Sequence, residues 1–285
     1  LRGGVFMTIT AGIDIGTGLI KTALFDVDGD ATAWIARRTD RIRQRDPLKL
    51  AAEAYGDLLK EAGLDRNAVA YVASTGESES LEFHTGHFYS MTTHARGAIY
   101  LQPEARIVLD VGALHGRAIR IDGRGKVLSY KMTSQCASGS GQFLENIDRY
   151  LGISQDEIGT LSRQADKPEK VSGICAVLAE TDVINMVSRS ITAPNILKGI
   201  HQSMADRLTK LLKTTGSTDG IALMTGGLAL DDGLLAAMRE AMQREKVSIA
   251  VESHPDSIYA GAIGAALWGA FRHAKLARLD AIAAA

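Results

Sequence analysis

A short pattern that occurs twice, 96 residues apart, constrains the fold of this 285-residue chain more than any other feature. In each copy an apolar strand runs into Asp-x-Gly, a second strand returns, and a glycine-containing turn follows. The positions that coincide are Asp14 with Asp110, Gly16 with Gly112, Lys21 with Arg117, Asp26 with Asp122, and Gly29 with Gly125. A duplicated module of three strands explains this register better than chance does. We therefore expect two domains of similar core topology.

Strands and helices alternate along the rest of the chain, which predicts an α/β fold. Apolar residues at helical spacing between capping signals predict helices at 46–63, 141–151, 176–189, 194–213, 231–238 and 260–271. In the third of these helices we expect Val177, Leu178, Thr181, Ile184 and Met186 to face mostly inward. The domains are placed at 7–104 and 105–285, with helix 260–273 able to pack back on the first domain, and residues 1–6 are left out of the fold prediction.

Charge and composition exclude several classes of protein. Lys and Arg number 32 and Asp and Glu number 33, so there is no basic excess to bind nucleic acid or an anionic membrane. The apolar run 261–271 is too short to span a bilayer, which takes about 20 residues, and we expect no signal peptide at the start. Two cysteines form no disulfide framework, and they indicate a reducing cytoplasm.

Three glycine-containing strand ends are candidates for binding phosphate: Asp14-Ile-Gly16-Thr17-Gly18, Asp110-Val-Gly112 and Thr225-Gly226-Gly227. Glycine lets the backbone approach a ligand, and free N–H groups in such a turn bind anions. An acidic residue at the same strand end can hold Mg²⁺, and Lys21 on the return strand is a candidate to reach the phosphates. One Asp-x-Gly-Thr alone is more often only a turn. The duplication and the later Gly-Gly, in this order, favour a nucleotide site.

This order of motifs resembles the actin/Hsp70/sugar-kinase superfamily. The resemblance implies two RNase H-like (actin-like ATPase) domains with a nucleotide cleft between them. It implies catalytic roles for Asp14 and Asp110. The cofactor-binding positions predicted from these motifs and from the segment after Cys136 are Gly16, Thr17, Gly18, Lys21, Gly112, Gly139, Gly141, Gly226 and Gly227, with the last two beside the adenosine.

The two cysteines, Cys136 and Cys175, each precede a predicted helix. A helix N-terminus stabilises a thiolate or an anionic cluster, but two thiolates cannot complete a four-cysteine iron–sulfur site. Two copies of the chain, or the chain and a paralogue, would supply four thiolates across a two-fold axis. Considered by chemistry alone, two buried structural thiols are the favoured alternative.

The residues that follow the cysteines reverse this preference. Cys136-Ala-Ser-Gly139-Ser-Gly141-Gln-Phe-Leu-Glu and Cys175-Ala-Val-Leu-Ala-Glu, within this ATPase pattern, resemble the activator ATPases of benzoyl-CoA reductases and 2-hydroxyacyl-CoA dehydratases. The resemblance extends from about residue 7 to residue 272. It implies that Cys136 and Cys175 are metal ligands that hold half of a [4Fe-4S] cluster shared by two subunits, beside ATP with Mg²⁺.

The activity that the resemblance implies is ATP-driven electron transfer in anaerobic aromatic degradation, as part of an ATP-dependent (dearomatizing) benzoyl-CoA reductase. Its partners would be a paralogous ATPase subunit or a second copy, reductase subunits that bind benzoyl-CoA, and ferredoxin as electron donor. Residues 90–98 and 110–117 favour this branch over a 2-hydroxyacyl-CoA dehydratase activator. A sugar or small-molecule kinase and a non-enzymatic actin-like assembly protein are further alternatives, and neither accounts for the paired cysteines.

Some residues depart from the family pattern or stand outside it. Ala113, Leu114 and His115 replace the Gly, Gln and Asp of the second phosphate motif, and we hypothesise that this chain hydrolyses ATP slowly while its partner keeps the fuller motif. The histidines at 84, 87 and 94 lack a diagnostic metal-binding spacing, so packing or surface roles are expected. No role is assigned to residues 75–79.

Overall fold

The computed structural model describes residues 8–29, 31–133, 141–172 and 176–283, and within them the chain forms two compact units. The first unit holds the residues up to Leu101, Arg124–Lys126 and the chain from Tyr259 onwards, and the second holds Gln102–Gly123 and Val127–Ile258. Each unit is built on one five-stranded sheet. Within the described ranges, no helix combines the length and the apolar character needed to cross a membrane.

The strands are β1 (Thr8–Ile15), β2 (Leu19–Asp28), β3 (Ala31–Arg41), β4 (Val69–Gly76), β5 (Gly86–His87), β6 (Ala105–Val111), β7 (Gly116–Ile121), β8 (Val127–Met132), β9 (Asp219–Thr225) and β10 (Ser248–Glu252). The helices are α1 (Pro47–Glu61), α2 (Ser90–Leu101), α3 (Gly141–Leu151), α4 (Ile158–Arg163), α5 (Ala176–Ser188), α6 (Ala193–Lys213), α7 (Asp232–Arg244) and α8 (Ala260–Ala283).

The first sheet has the order β3-β2-β1-β4-β5, in which β1 pairs antiparallel with β2 and parallel with β4. Helix α1 begins as its sequence predicts, because the Asp46 carboxylate accepts hydrogen bonds from the first free N–H groups and Pro47 follows the cap. Apolar side chains on α1 pack with those on one face of β1 and β2. Helix α8 packs on the opposite face, where it meets Ala23 and Phe25.

The second sheet repeats this arrangement, with the order β10-β9-β6-β7-β8. Strand β6 pairs antiparallel with β7 and parallel with β9, as β1 does with β2 and β4. The turn glycines that coincide in the repeat, Gly29 and Gly125, both have positive φ angles, of 59° and 78°. The predicted α/β fold with two similar sheets is therefore confirmed.

The second unit differs from the first in the segment between its third and fourth strands. A single helix, α1, joins β3 to β4 in the first unit, whereas β8 and β9 are separated by α3, α4, α5 and α6. The helices of this insertion share one large apolar core with α7 and the sheet. The longer crossover is thus the part of the chain that contains both cysteines.

Two helix predictions are corrected by the structure. The inward face predicted for α5 is wrong in part: Leu178 and Ile184 are 46% and 48% exposed, whereas Ala179, Val183 and Met186 are buried. The buried face of α5 was predicted wrongly because this helix has apolar residues on more than one side. Helix α8 continues to Ala283, beyond the end predicted at 271–273, since no glycine or proline stops it. Helix α2 was not predicted.

Candidate functional site

The site begins with a buried ion pair at the end of β1. Asp14 and Lys21 are opposite each other in the β1–β2 pairing, and Lys21 Nζ lies 3.1 Å from Asp14 Oδ2. Both side chains are about 5% exposed. Lys21 Nζ also approaches Gly16, where an added Cβ would lie 3.2 Å from it. A cation and a carboxylate therefore meet directly beneath the Gly16–Gly18 turn.

Two glycines and a histidine enclose the Asp14 carboxylate. A Cβ added at Gly76 would lie 3.1 Å from Asp14 Oδ1, and one added at Gly261 would lie 2.6 Å from Asp14 Oδ2. His94 Nε2, from α2, is 4.0 Å from the same Oδ2. The first turn of α8 and the end of β4 can approach this carboxylate only because they present glycine.

The second unit has an equivalent pair at the end of β6. Arg117 is opposite Asp110 in the strand pairing, and its Nε donates to Asp110 Oδ2 at 2.8 Å while a second guanidinium nitrogen contacts the same oxygen. Gly226, with a φ of 88°, stands where Gly76 stands in the first unit, since its added Cβ would lie 2.4 Å from Asp110 Oδ1. The alignment of Lys21 with Arg117 thus corresponds to two equivalent ion pairs.

The turn that follows β6 is connected directly to the start of α3. The Gly112 N–H donates to the His115 carbonyl at 3.0 Å, which closes the turn. The N–H groups of Gly141 and Gln142 donate to the carbonyls of Gly112 and Ala113, at 3.0 and 2.8 Å. First-turn N–H groups of a helix have no partner within the helix, and here two of them are satisfied by the predicted phosphate turn.

The loop after β9 is held by a buried histidine. Asp231 caps α7, accepting from the Leu234 N–H at 2.9 Å, and its Oδ2 lies 3.1 Å from His201 Nε2. The other ring nitrogen of His201 is 2.7 Å from Ser162 Oγ. Burial raises the pKa of Asp231, but the charge of His201 and its hydrogen bond outweigh burial and hold that pKa below its usual value. This network fixes the far end of the Gly226-Gly227 loop.

Several sequence-predicted site residues are placed near one another, and others are not described. Asp14, Gly16 and Lys21 meet at one strand end, while Asp110, Gly112, Gly141 and Gly226 meet at the other. Thr17, Gly18 and Gly227 lie in the corresponding turns. Cys136, Gly139 and Cys175 lie outside the described residues, so their predicted roles stay predictions.

The histidines of the 84–94 segment take part in hydrogen bonding. The Nδ1 atoms of His84 and His87 lie 3.0 and 3.2 Å from Ser74 Oγ, and His87 Nδ1 is also 3.1 Å from Ser78 Oγ. Burial lowers the pKa of His87. No group of three or more His, Cys, Asp or Glu side chains with the geometry of a metal site occurs in the part of the chain that the structure describes.

The sequence prediction missed that Thr75-Gly76 and His94 lie beside the Asp14 carboxylate. A usable signal existed for the first, because Thr75-Gly76 and Thr225-Gly226 are the same dipeptide at the ends of equivalent parallel strands. The crossover between the third and fourth strands is longer in the second unit than in the first. The two dipeptides are therefore more than 96 residues apart in the sequence, and the offset of the repeat does not align them. His94 carried no local signal, since its approach to Asp14 depends on how α2 packs.

The two sheets and their strand-end carboxylates define a class of protein, the α/β ATPases with an actin-like fold. A ROK family glucokinase from Streptomyces griseus shares this fold, with a TM-score of 0.58 at 13% identity and with 92% of this chain and 99% of that one covered. Residues 11–269 match the BadF/BadG/BcrA/BcrD ATPase family. The chain belongs to that family.

Two relatives of this chain resemble it over nearly its whole length. One of the subunits of benzoyl-CoA reductase from Thauera aromatica is 75% identical over 273 residues, which cover 96% of this chain and 97% of that one. The activator of the 2-hydroxyisocaproyl-CoA dehydratase from Clostridium difficile, solved with bound ADPNP, is 26% identical, with a TM-score of 0.84 and coverage of 95% and 97%. The family that the motifs indicated is thus confirmed.

Proposed function

We propose that this chain is the ATP-hydrolysing, electron-delivering component of a reductase that acts on benzoyl-CoA. The 75% identity to the Thauera aromatica benzoyl-CoA reductase chain supports the substrate class. The single structural observation that supports coupled electron delivery is the pair of hydrogen bonds from Gly141 and Gln142 to the turn at Gly112 and Ala113. Those bonds join a proposed phosphate turn to the helix that follows Cys136 in the sequence.

For the nucleotide, we propose that the turns after β1 and β6 bind the phosphates of ATP and that the loop at Gly226-Gly227 lies beside the adenosine. Backbone N–H groups in such turns bind anions. Carboxylate oxygens are the ligands that Mg²⁺ prefers, so the donor chemistry of Asp14 and Asp110 fits this ion. Each carboxylate already has a cation against its Oδ2, which orients it and compensates its charge.

For the electron, we propose that Cys136 and Cys175 contribute two thiolates to a [4Fe-4S] cluster. A cluster of this kind takes four cysteine thiolates, so the donor set requires two more from a paralogous ATPase subunit or a second copy. When bound, the cluster supplies one-electron transfer at low potential. Ferredoxin is the proposed electron donor, and a reducing cytoplasm suits free thiolates and such a cluster.

Coupling between the two functions is proposed to run through α3. A change at the Gly112–His115 turn alters the position of the carbonyls that accept from Gly141 and Gln142, and this reorients the first turn of the helix. Gly141 also lies close to the loop after β9, because a Cβ added there would be 3.4 Å from Leu228. Nucleotide binding would thereby change the exposure of the thiolates and the docking of the reductase subunits.

The substitutions at residues 113–115 bear on the rate of hydrolysis. Ala113 replaces a glycine in the turn whose carbonyl accepts from Gln142, and His115 replaces a carboxylate. We propose that this chain binds ATP and hydrolyses it slowly, with a paralogous partner supplying the faster site. The test inactivates one ATPase subunit of the assembled pair at a time. If the pair hydrolyses ATP equally fast whichever subunit stays active, the proposal is wrong.

The test is anaerobic purification of the chain with and without its partner ATPase, followed by iron, sulfide and EPR measurements. We expect about four irons per pair of subunits, lost in Cys136→Ala and in Cys175→Ala, together with ATP-dependent reduction of benzoyl-CoA in the full complex. Activity on 2-hydroxyacyl-CoA instead would favour the dehydratase-activator alternative. Absence of iron with intact ATP turnover in both cysteine variants would favour a kinase.

A further inference from the structure

We propose that His94 is a positioning residue for the Asp14 carboxylate in the nucleotide site. The inference rests on the proposed function, because it takes Asp14 as the carboxylate that acts on MgATP. It adds a residue on α2, which none of the phosphate motifs contains. His94 is predicted to act through Asp14 and not to touch the nucleotide itself.

The distances place His94 beside one oxygen of Asp14. Lys21 Nζ is 3.1 Å from Asp14 Oδ2, and His94 Nε2 is 4.0 Å from the same atom. All three side chains are buried, with 4–5% of each exposed to solvent. In an environment with so little water, charged and polar neighbours fix the orientation of a carboxylate more strongly than they do at the surface.

The surrounding backbone leaves His94 little freedom to move away. A Cβ added at Gly261 would lie 2.6 Å from Asp14 Oδ2 and 2.9 Å from His94 Nε2, so the first turn of α8 contacts both groups. The residue before His94 is fixed as well. Thr93 Oγ1 lies 3.0 Å from Thr75 Oγ1, and it donates to the Ser90 carbonyl at 2.9 Å.

The same strand end therefore connects Asp14 to α2 in two ways. Asp14 is opposite Thr75 in the pairing of β1 with β4, and Thr75 Oγ1 lies 2.8 Å from the Phe88 carbonyl oxygen as well as 3.0 Å from Thr93 Oγ1. His94 lies one residue beyond the threonine that closes this connection. A shift of α2 would move His94 relative to Asp14, so the orientation of the carboxylate depends on the packing of this helix.

The test compares His94→Gln with His94→Asn in the full-length chain purified with its partner. The Gln amide nitrogen can reach the position of the imidazole Nε2, whereas the shorter Asn amide cannot. Loss of a polar neighbour that orients a metal-ligating side chain typically costs about 10–100-fold in metal affinity or activity. We expect His94→Asn to weaken ATP binding in Mg²⁺ by such a factor, to leave binding in EDTA unchanged, and to slow hydrolysis. His94→Gln should retain most of the Mg²⁺-dependent affinity.

Thr92→Val is the matched control, because it preserves side-chain shape in the same helix at a half-buried residue that takes no part in the connection between Asp14 and α2. It should leave the ratio of ATP affinities in Mg²⁺ and EDTA unchanged. The inference is wrong if His94→Asn keeps the wild-type ratio, or if all three variants lose affinity equally in both conditions, since the latter indicates a purely structural role. A wild-type chain that binds no ATP would instead overturn the proposed function.

Discussion

At the scale of single residues, the buried carboxylates at the two strand ends depend on the cations beside them. Removing one partner of a buried ion pair typically costs about 3–5 kcal/mol, because the other charge is left without compensation. Lys21 is a point charge within reach of the Gly16 turn, whereas Arg117 places two nitrogens on one oxygen of Asp110. The charge of the buried aspartate is therefore compensated by a lysine in the first unit and by an arginine in the second.

Asp148 on α3 is a buried carboxylate with no cation at its Oδ1. That atom has no hydrogen-bond partner among the described residues, and burial raises the pKa of Asp148 from 3.8 to about 6. Because the folded-state pKa is raised, the protein gains stability when Asp148 is protonated and loses it as the pH rises from about 4 through 6. At neutral pH this side chain destabilises the fold.

We expect Asp148→Asn to raise the free energy of unfolding by about 1–3 kcal/mol at pH 7.5, with the gain disappearing below about pH 4. Urea denaturation at four pH values from 4 to 7.5 measures this. Asp28→Asn, in an exposed position at the end of β2, is the control and should change stability by less than about 0.5 kcal/mol at every pH. A gain that does not vary with pH would show that charge burial is not its cause.

At the scale of elements, glycine permits the contact between α2 and α8. A Cβ added at Gly97 would lie 1.9 Å from the Ala260 carbonyl oxygen, and one added at Gly264 would lie 1.7 Å from the Thr93 carbonyl oxygen. Gly12 on β1 gives α8 a similarly close approach to the sheet. Small residues at 260–266 thus bring this helix within contact of both the strand and the helix that hold the Asp14 site.

We expect Gly264→Ala to destabilise the chain by about 1–3 kcal/mol or more, because the methyl group would overlap backbone that has no room to move. The matched control is Gly56→Ala in α1, where an added Cβ meets nothing within 4 Å. That substitution should stabilise the chain by up to about 1 kcal/mol, since alanine favours the helix. Thermal unfolding of both variants measures these changes in stability. Equal changes in the two variants would mean that the tight contact between α2 and α8 does not affect stability.

At the scale of the whole molecule, one βββ module was used twice and then extended differently. Both sheets have the same pairing order, but only the second crossover contains α3, α4 and α5. The two bonds from Gly141 and Gln142 to the strand-end turn attach this insertion to the part of the unit that is duplicated. The strand-end carboxylates belong to the shared module, and the cysteines belong to the addition.

We expect Gly141→Pro to uncouple ATP hydrolysis from electron delivery. Proline is tolerated at the first position of a helix but removes the N–H that donates to the Gly112 carbonyl. Loss of about 1.4 kcal/mol, within the range for one hydrogen bond, corresponds to roughly a tenfold rise in ATP consumed per electron delivered.

The measurement for Gly141→Pro uses the anaerobic complex, in which ATP hydrolysis and the proposed ATP-dependent electron delivery to benzoyl-CoA are followed together. Gly141→Ala keeps the N–H, and its Cβ would meet its nearest neighbours at 3.4–3.5 Å, so it should uncouple the two processes far less. Equal behaviour of the alanine and proline variants would contradict the proposed coupling through α3.

The fold and the charged residues at the two strand ends of the candidate site could be predicted, because their sequence signals are local and repeated. The apolar runs, the Asp-x-Gly turns and the Asp46-Pro47 helix start are each encoded within a few residues. A strand that is followed by a turn and a paired strand brings Asp14 opposite Lys21 by register alone, and the same holds for Asp110 and Arg117. The inward face of α5 was predicted wrongly for the opposite reason. Apolar residues on several sides of a helix do not show which side is buried.

The sequence by itself determined the duplicated α/β framework, the strand-end carboxylates and the membership of an ATPase family. Tertiary packing alone decided that His94 from α2, Gly76 from β4 and Gly261 from α8 surround one carboxylate. It also decided that Gly141 and Gln142 bond to the turn at Gly112 and Ala113. Local propensity and strand register act between neighbours in the chain, whereas contacts between elements far apart in sequence depend on how their side chains and backbones fit together in the folded protein.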